Sequence, residues 1–230
     1  MSTSNINHIY LTSNTEYGRL LVQLCEKSAK CGKNVLIITQ SRTSLSDMLE
    51  KHRSSGHFLI LLLSDIESAP RHIVELYECT SMPDLIIFDL NSIIVNLLRW
   101  PVMQQRNTET LVRNIAKCAA AFCSYRQMVQ QFKEQQQQKR KQEQLQDMGS
   151  KAKETMIGKD KQDDKKPTKK EEQEAIRSHP LNTIIIMPTD TYPLSPAQFK
   201  LLIGLYFYDN VCHTDFARMV ACIRDSQCQD

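Results

Sequence analysis

The sequence predicts an α/β fold, a doubly wound and largely parallel sheet covered by helices. Three observations carry this. Short, continuously apolar runs recur at Val35-Leu36-Ile37-Ile38, Phe58-Leu59-Ile60-Leu61-Leu62-Leu63, Leu85-Ile86-Ile87-Phe88 and Ile184-Ile185-Ile186-Met187. They do not alternate with polar residues, which suits strands buried on both faces. Segments with helical spacing lie between them. The most informative run is Asp84-Leu85-Ile86-Ile87-Phe88-Asp89, too short for a core helix and closed by an acid. That acid falls at a strand's carboxyl end, where open α/β sheets place their ligands.

The elements follow in order. His8-Ile9-Tyr10-Leu11 reads as a first strand, then a polar turn over Thr12 to Gly18. A helix runs from Arg19 through Leu20, Leu21, Val22, Leu24 and Cys25, and stops at Gly32, a good C-terminal cap. The β-branched run Val35 to Ile38 is a central strand. The unit is therefore βαβ with a right-handed crossover. Ser44 to His52 is a short helical turn, and Phe58 to Leu63 a third strand. Pro70 suits the first turn of a helix through Ile73, Val74, Leu76 and Tyr77, and Met82-Pro83 ends it. After the strand ending at Asp89, a stripe of Leu111, Ile115, Cys118, Ala119 and Phe122 marks a core-facing helix.

From Arg126 to Gln146 Gln, Lys and Glu take over, good helix formers but without the apolar seam of a coiled coil. Gly149 to Glu174 is charged and nearly devoid of apolar residues, the composition of a disordered segment. Folding resumes with the strand Asn182 to Met187, the helix Pro196 to Phe207 and a sixth strand at Val211 to Thr214. The expected organisation is a core of residues 1–126 and 178–230 interrupted by an insertion of residues 127–177.

Composition narrows the class. The 230 residues are 41% hydrophobic with a mean hydropathy of -0.41, a normal core diluted by the polar insertion. The net charge of +3 lies wholly between Lys133 and Glu172, where 12 Lys/Arg face 9 Asp/Glu. Met1 to Asn7 has no apolar signal-peptide region, and no run reaches the roughly 18 apolar residues of a membrane helix. Eight cysteines without a C-x-x-C pair fit reduced thiols of the cytosol or nucleus, with Cys25, Cys79 and Cys118 in apolar patterns. Cys212-His213 with Cys222 and Cys228 is a sparse zinc alternative.

The turn after the first strand aligns with the phosphate-loop pattern G-x-x-x-x-G-K-[ST] over Ser13-Asn14-Thr15-Glu16-Tyr17-Gly18-Arg19-Leu20. Only Gly18 is retained. Ser13 replaces the first glycine, Arg19 the lysine, and Leu20 the hydroxyl that would hold Mg²⁺. Glu16 inside the loop would repel a triphosphate. Asp89 has two readings: it holds the water shell of a cation, or it is only an N-terminal cap or turn former beyond the strand, since Asp-Leu-Asn-Ser is turn-like.

The order of strand, degenerate loop, helix, strand, helix, strand, helix and acid-ended strand resembles the RecA-like recombinase paralogues. The carrying stretches are His8 to Leu24, Lys33 to Thr39 and Leu85 to Leu90, with Ala119 to Tyr125 and Pro196 to Cys212 similar to the later helices. Within that group the chain is similar to the small RecA-like subunits of Shu complexes. The resemblance implies a RecA-like P-loop NTPase-type sheet with a vestigial nucleotide site of Ser13, Gly18, Arg19 and Asp89 and no catalytic residue. Active relatives carry a water-activating Glu beyond the second strand, where this chain has Gln40-Ser41-Arg42. No cofactor is expected, ATP at most bound and not hydrolysed, and no metal. The implied role is nuclear, in homologous recombination and meiosis, as part of a hetero-oligomer with a SWIM-type zinc-finger protein and a RecA-like recombinase on single-stranded DNA. Lys139, Arg140 and Lys141, with Lys165, Lys166, Lys169 and Lys170, fall where such proteins contact DNA. The same lysines fit a solvated linker or a nuclear-import signal. The alternatives are a divergent P-loop ATPase or kinase, and a plain scaffold docking through the Gln-rich helix.

Overall fold

The computed structural model describes residues 7–12, 17–40, 57–78, 82–99, 108–154, 181–189, 194–207 and 210–225. Its core is one six-stranded sheet of β1 (Asn7–Thr12), β2 (Val35–Thr39), β3 (Phe58–Leu62), β4 (Leu85–Asp89), β5 (Asn182–Pro188) and β6 (Asn210–His213). The order is β3-β2-β4-β5-β1-β6, and every pairing is parallel. Every residue of β2, β4 and β5 is buried, as their uninterrupted apolar runs require.

The helices are α1 (Tyr17–Lys30), α2 (Ala69–Glu75), α3 (Leu90–Arg99), α4 (Thr108–Glu154), α5 (Pro196–Tyr206) and α6 (Phe216–Asp225). Strand alternation divides the core. Tyr10, Val35, Ile37, Leu85, Ile87, Ile184 and Ile186 form one cluster with Leu21, Leu24 and Cys25 of α1 and Phe216, Met219 and Ile223 of α6. On the opposite face Phe88 stacks on Phe122 of α4 with centroids 4.3 Å apart, and Phe122 meets Phe207 just beyond α5. Tyr77, in the 3-10 turn that follows α2, meets Tyr125 edge-on. Such aromatic pairs add roughly 0.5–1.5 kcal/mol beyond their buried area.

Helix ends obey local chemistry. Gly32 takes φ +72°, the Gly32 N–H donates to the Ala29 carbonyl and the Lys33 N–H to the Ser28 carbonyl, a Schellman stop for α1. Ser195 and Gln198 form a reciprocal capping box on α5. Pro70 sits in the first turn of α2.

Several boundaries differ from the sequence reading. α1 begins two residues earlier, at Tyr17. α3 and α6 are absent from the sequence reading; Asp89 opens α3, and Phe216, Met219 and Ile223 give α6 its buried face. Gly149 to Glu154, expected to be disordered, continues α4, because Lys151, Ala152, Lys153 and Glu154 are good helix formers. The rest of that segment, the turn at residues 44–52 and Cys79 lie outside the described residues. The chain divides into two compact units, residues 1–127 with 180–230, and residues 128–179. In the second, the described residues are helical, with Lys139, Arg140 and Lys141 exposed.

Strand β3 is an edge, and its Leu59 and Leu62 are 40% and 39% exposed. At the other edge, His213 of β6 is buried against β1. His8 Nδ1 and His213 Nε2 lie 3.2 Å apart with the rings stacked. Burial, reinforced by His213, pushes the His8 imidazole from its ordinary 6.5 down to about 4. An unfolded His8 therefore binds a proton that the folded protein refuses between those values. The resulting stability is complete above pH 6.5 and lost as pH falls towards 4. Urea titrations at pH 7.5 and 5 are expected to show the His8→Phe variant losing less stability on acidification than the parent, by about 2 kcal/mol. Equal losses would show that His8 does not govern the transition.

Candidate functional site

The polar residues that converge in the core do so at the carboxyl end of β4. Leu85 and Ile87 face α1, so Asp89, two residues on, faces α1 as well. Thr39 has the same parity on the neighbouring β2, one step beyond the paired Ile38 and Phe88. Its hydroxyl donates to Asp89 Oδ2 at 2.9 Å. The Tyr17 hydroxyl, from the first residue of α1, donates to Asp89 Oδ1 at 2.8 Å. The Ser92 N–H donates to the same oxygen at 3.0 Å, so Asp89 caps α3 through its third residue. The cap reading of Asp89 holds, and a wider network surrounds it.

The outer bonds lock those donors. Ser92 Oγ lies 3.0 Å from Thr39 Oγ1 and from the Asp89 carbonyl, and also accepts the Gln40 N–H. Asn91 Nδ2 donates to the Tyr17 hydroxyl oxygen at 3.3 Å, leaving its proton for Asp89. Gln40, just beyond β2, turns its side-chain amide to the Ser64 carbonyl at 3.1 Å.

Asp89 is 5% exposed. Burial raises its carboxyl above the ordinary range, opposed by the Ser92 N–H and the Tyr17, Thr39 and Ser92 hydroxyls. Burial beside that carboxyl raises the Tyr17 phenol too. A carboxylate moved out of water with no donors would cost several kcal/mol, and these donors offset that penalty.

The topology explains why Tyr17 must reach so far. β5 lies between β1 and β4, placing their ends two strand spacings apart, about 9.6 Å. Tyr17 packs in the same cluster as Ile186 of β5 and is 7% exposed. This crevice is the ligand position of an open α/β sheet. The Tyr17 side chain reaches into this region to bond Asp89.

Of the residues named from the phosphate-loop pattern, Gly18 is buried in the first turn of α1, Arg19 follows it in the helix, and Ser13 lies outside the described residues. Leu20 is 40% exposed on α1. Of these, Asp89 is at the centre of the polar network; its partners Tyr17 and Thr39 were not read as such from the sequence, whereas Ser92 belongs to the Asp-Leu-Asn-Ser run named there. Lys139, Arg140 and Lys141 belong to the second unit, and Lys165, Lys166, Lys169 and Lys170 lie outside the described residues.

The zinc alternative is not assembled. Cys212 is exposed and His213, next to it on β6, is buried against His8; Cys222 is exposed on α6, and Cys228 lies outside the described residues. Among the described residues no group of three or more His, Cys, Asp or Glu converges, and no helix is long and apolar enough to cross a membrane. Comparison with protein-family models, curated proteins and solved structures finds no match to this chain.

The network makes a graded prediction for chemical denaturation. Thr39→Val, which keeps the shape and removes one donor, is expected to cost about 1–3 kcal/mol. Asp89→Ala is expected to cost more than Thr39→Val, since it removes the cap of α3 and takes the carboxylate acceptor from the Tyr17 and Thr39 hydroxyls. Equal, sub-kilocalorie effects would mean that the carboxylate is not the organising group.

Proposed function

We propose that this chain is a non-catalytic RecA-like accessory subunit in homologous recombination, working in the nucleus through a SWIM-type zinc-finger protein, a recombinase and single-stranded DNA. The observation that carries it is the engaged carboxylate of Asp89. In a working P-loop site this acid would order the water shell of Mg²⁺ beside a nucleotide; here both its oxygens accept bonds from Tyr17, Thr39 and Ser92. Leu20 offers no metal-binding oxygen. The residues present do not fit a magnesium–nucleotide, and no reaction step is assigned to one.

The six-stranded parallel sheet is compatible with the RecA-like frame, and an acid-ended strand and the strand before the loop flank a single strand at its carboxyl edge. The partner reading draws on apolar surface. Leu59 and Leu62 on the uncharged β3 edge, and Leu201 and Leu205 at 60% and 59% exposed on α5, offer area that a second protein would cover. The DNA reading draws on exposed Lys139, Arg140 and Lys141.

Affinity purification of the tagged chain from nuclear extract with nuclease added tests the partners. Recovery of a SWIM-type zinc protein together with a recombinase supports the reading, and absence of both rejects it. For DNA, the triple variant Lys139→Gln, Arg140→Gln, Lys141→Gln is expected to weaken binding across sequences. It should also flatten the dependence of log K on log salt by about 2, from some 0.7 per lost phosphate contact on single strands. An unchanged salt slope would remove these residues from the interface.

A further inference from the structure

We infer that Tyr17 is an internal ligand of the sheet's crevice: its phenol takes the place of a bound group and fixes α1 against β4 without one. The inference deepens the proposed function and rests on reading the loop as a degenerate phosphate site.

Three observations converge on it. Tyr17 is the fifth residue of the loop octet, where a phosphate-binding site would present backbone to its ligand. Its ring is buried in the α1-side cluster while its hydroxyl ends on Asp89, across the intervening β5. The hydroxyl is also oriented from behind, because Asn91 donates to its oxygen and leaves the proton only the carboxylate to bond. A merely space-filling residue would need none of this; Phe would serve. The arrangement links the start of α1 to β4, the start of α3 and, through Thr39, the end of β2. Those are the elements that a ligand at the crevice would draw together. With Tyr17 in place they are held permanently, so the geometry that the chain offers its partners does not depend on nucleotide.

Hydrogen exchange of the full chain, read by mass spectrometry, tests this. In the parent protein, millimolar Mg-ATP is expected to leave exchange in the first turns of α1 and at the end of β4 unchanged. Tyr17→Phe keeps the ring and removes the hydroxyl, and is expected to speed exchange at Leu21 to Leu24 about tenfold or more, the opening expected for loss of one bond to a charged acceptor. Thr39→Val weakens the same carboxylate from the β2 side and is expected to speed exchange at Leu21 to Leu24 less than Tyr17→Phe does. Parent-like exchange in Tyr17→Phe overturns the inference. So does slowed exchange in the parent on adding Mg-ATP, an arm that stands even if a variant fails to fold. These outcomes are independent of the pull-down: loss of the recombination partners would reject the proposed function and leave the internal ligand intact.

Discussion

A carboxylate buried at the middle of a parallel sheet has to be supplied with donors by the chain around it. Asp89 draws them from three directions: the phenol at the start of α1, the threonine closing β2 and the first turn of α3. Each donor is held by a further bond, from Asn91 to Tyr17 and between Thr39 and Ser92. The start of α1, the end of β2 and the entry to α3 are therefore not independent choices. All three meet the needs of one charge, and that charge sits where the fold would otherwise receive a ligand.

The sheet provides the stage. Its three fully buried strands tolerate a single acid because that acid stands at their carboxyl margin, where helix entries bring N–H groups and hydroxyls within reach. One layer is closed by α1 and α6, and the other by the Phe88, Phe122 and Phe207 series. Among the described residues, exposed apolar side chains include Leu59 and Leu62 on the β3 edge, Leu201 and Leu205 on α5, and Val74 on α2.

The strands were legible in the sequence because a parallel sheet buries both faces and writes itself as unbroken apolar runs. Asp89 was legible for the same reason, as the polar residue that ends one. Its partners Tyr17 and Thr39 were not. Tyr17 is 72 positions away and reaches Asp89 across a strand from the other end of the chain, a relation that no local pattern encodes. A faint trace existed in parity: Val35, Ile37 and Thr39 share a face with Leu85, Ile87 and Asp89, so two strands end in polar groups on the same side. α3 was hidden because Asp-Leu-Asn-Ser suits a turn as well as a capped helix start, although Leu90, Ile93 and Ile94 already had helical spacing. The His8–His213 contact joins residues 205 apart and was equally invisible.

The place of β1 has a consequence for how the chain acquires its structure. The first strand made is flanked by β5 and β6, the last two, with the whole of residues 128–179 between. Until residue 182 has been synthesised, Ile9 and Tyr10 have no neighbouring strand, and the nascent chain carries an apolar ribbon with nothing to pair with. Because loop-closure entropy rises only with the logarithm of length, the long interruption adds little to the final free energy. It acts on time instead, lengthening the interval in which a chaperone or a partner already present must shield that ribbon.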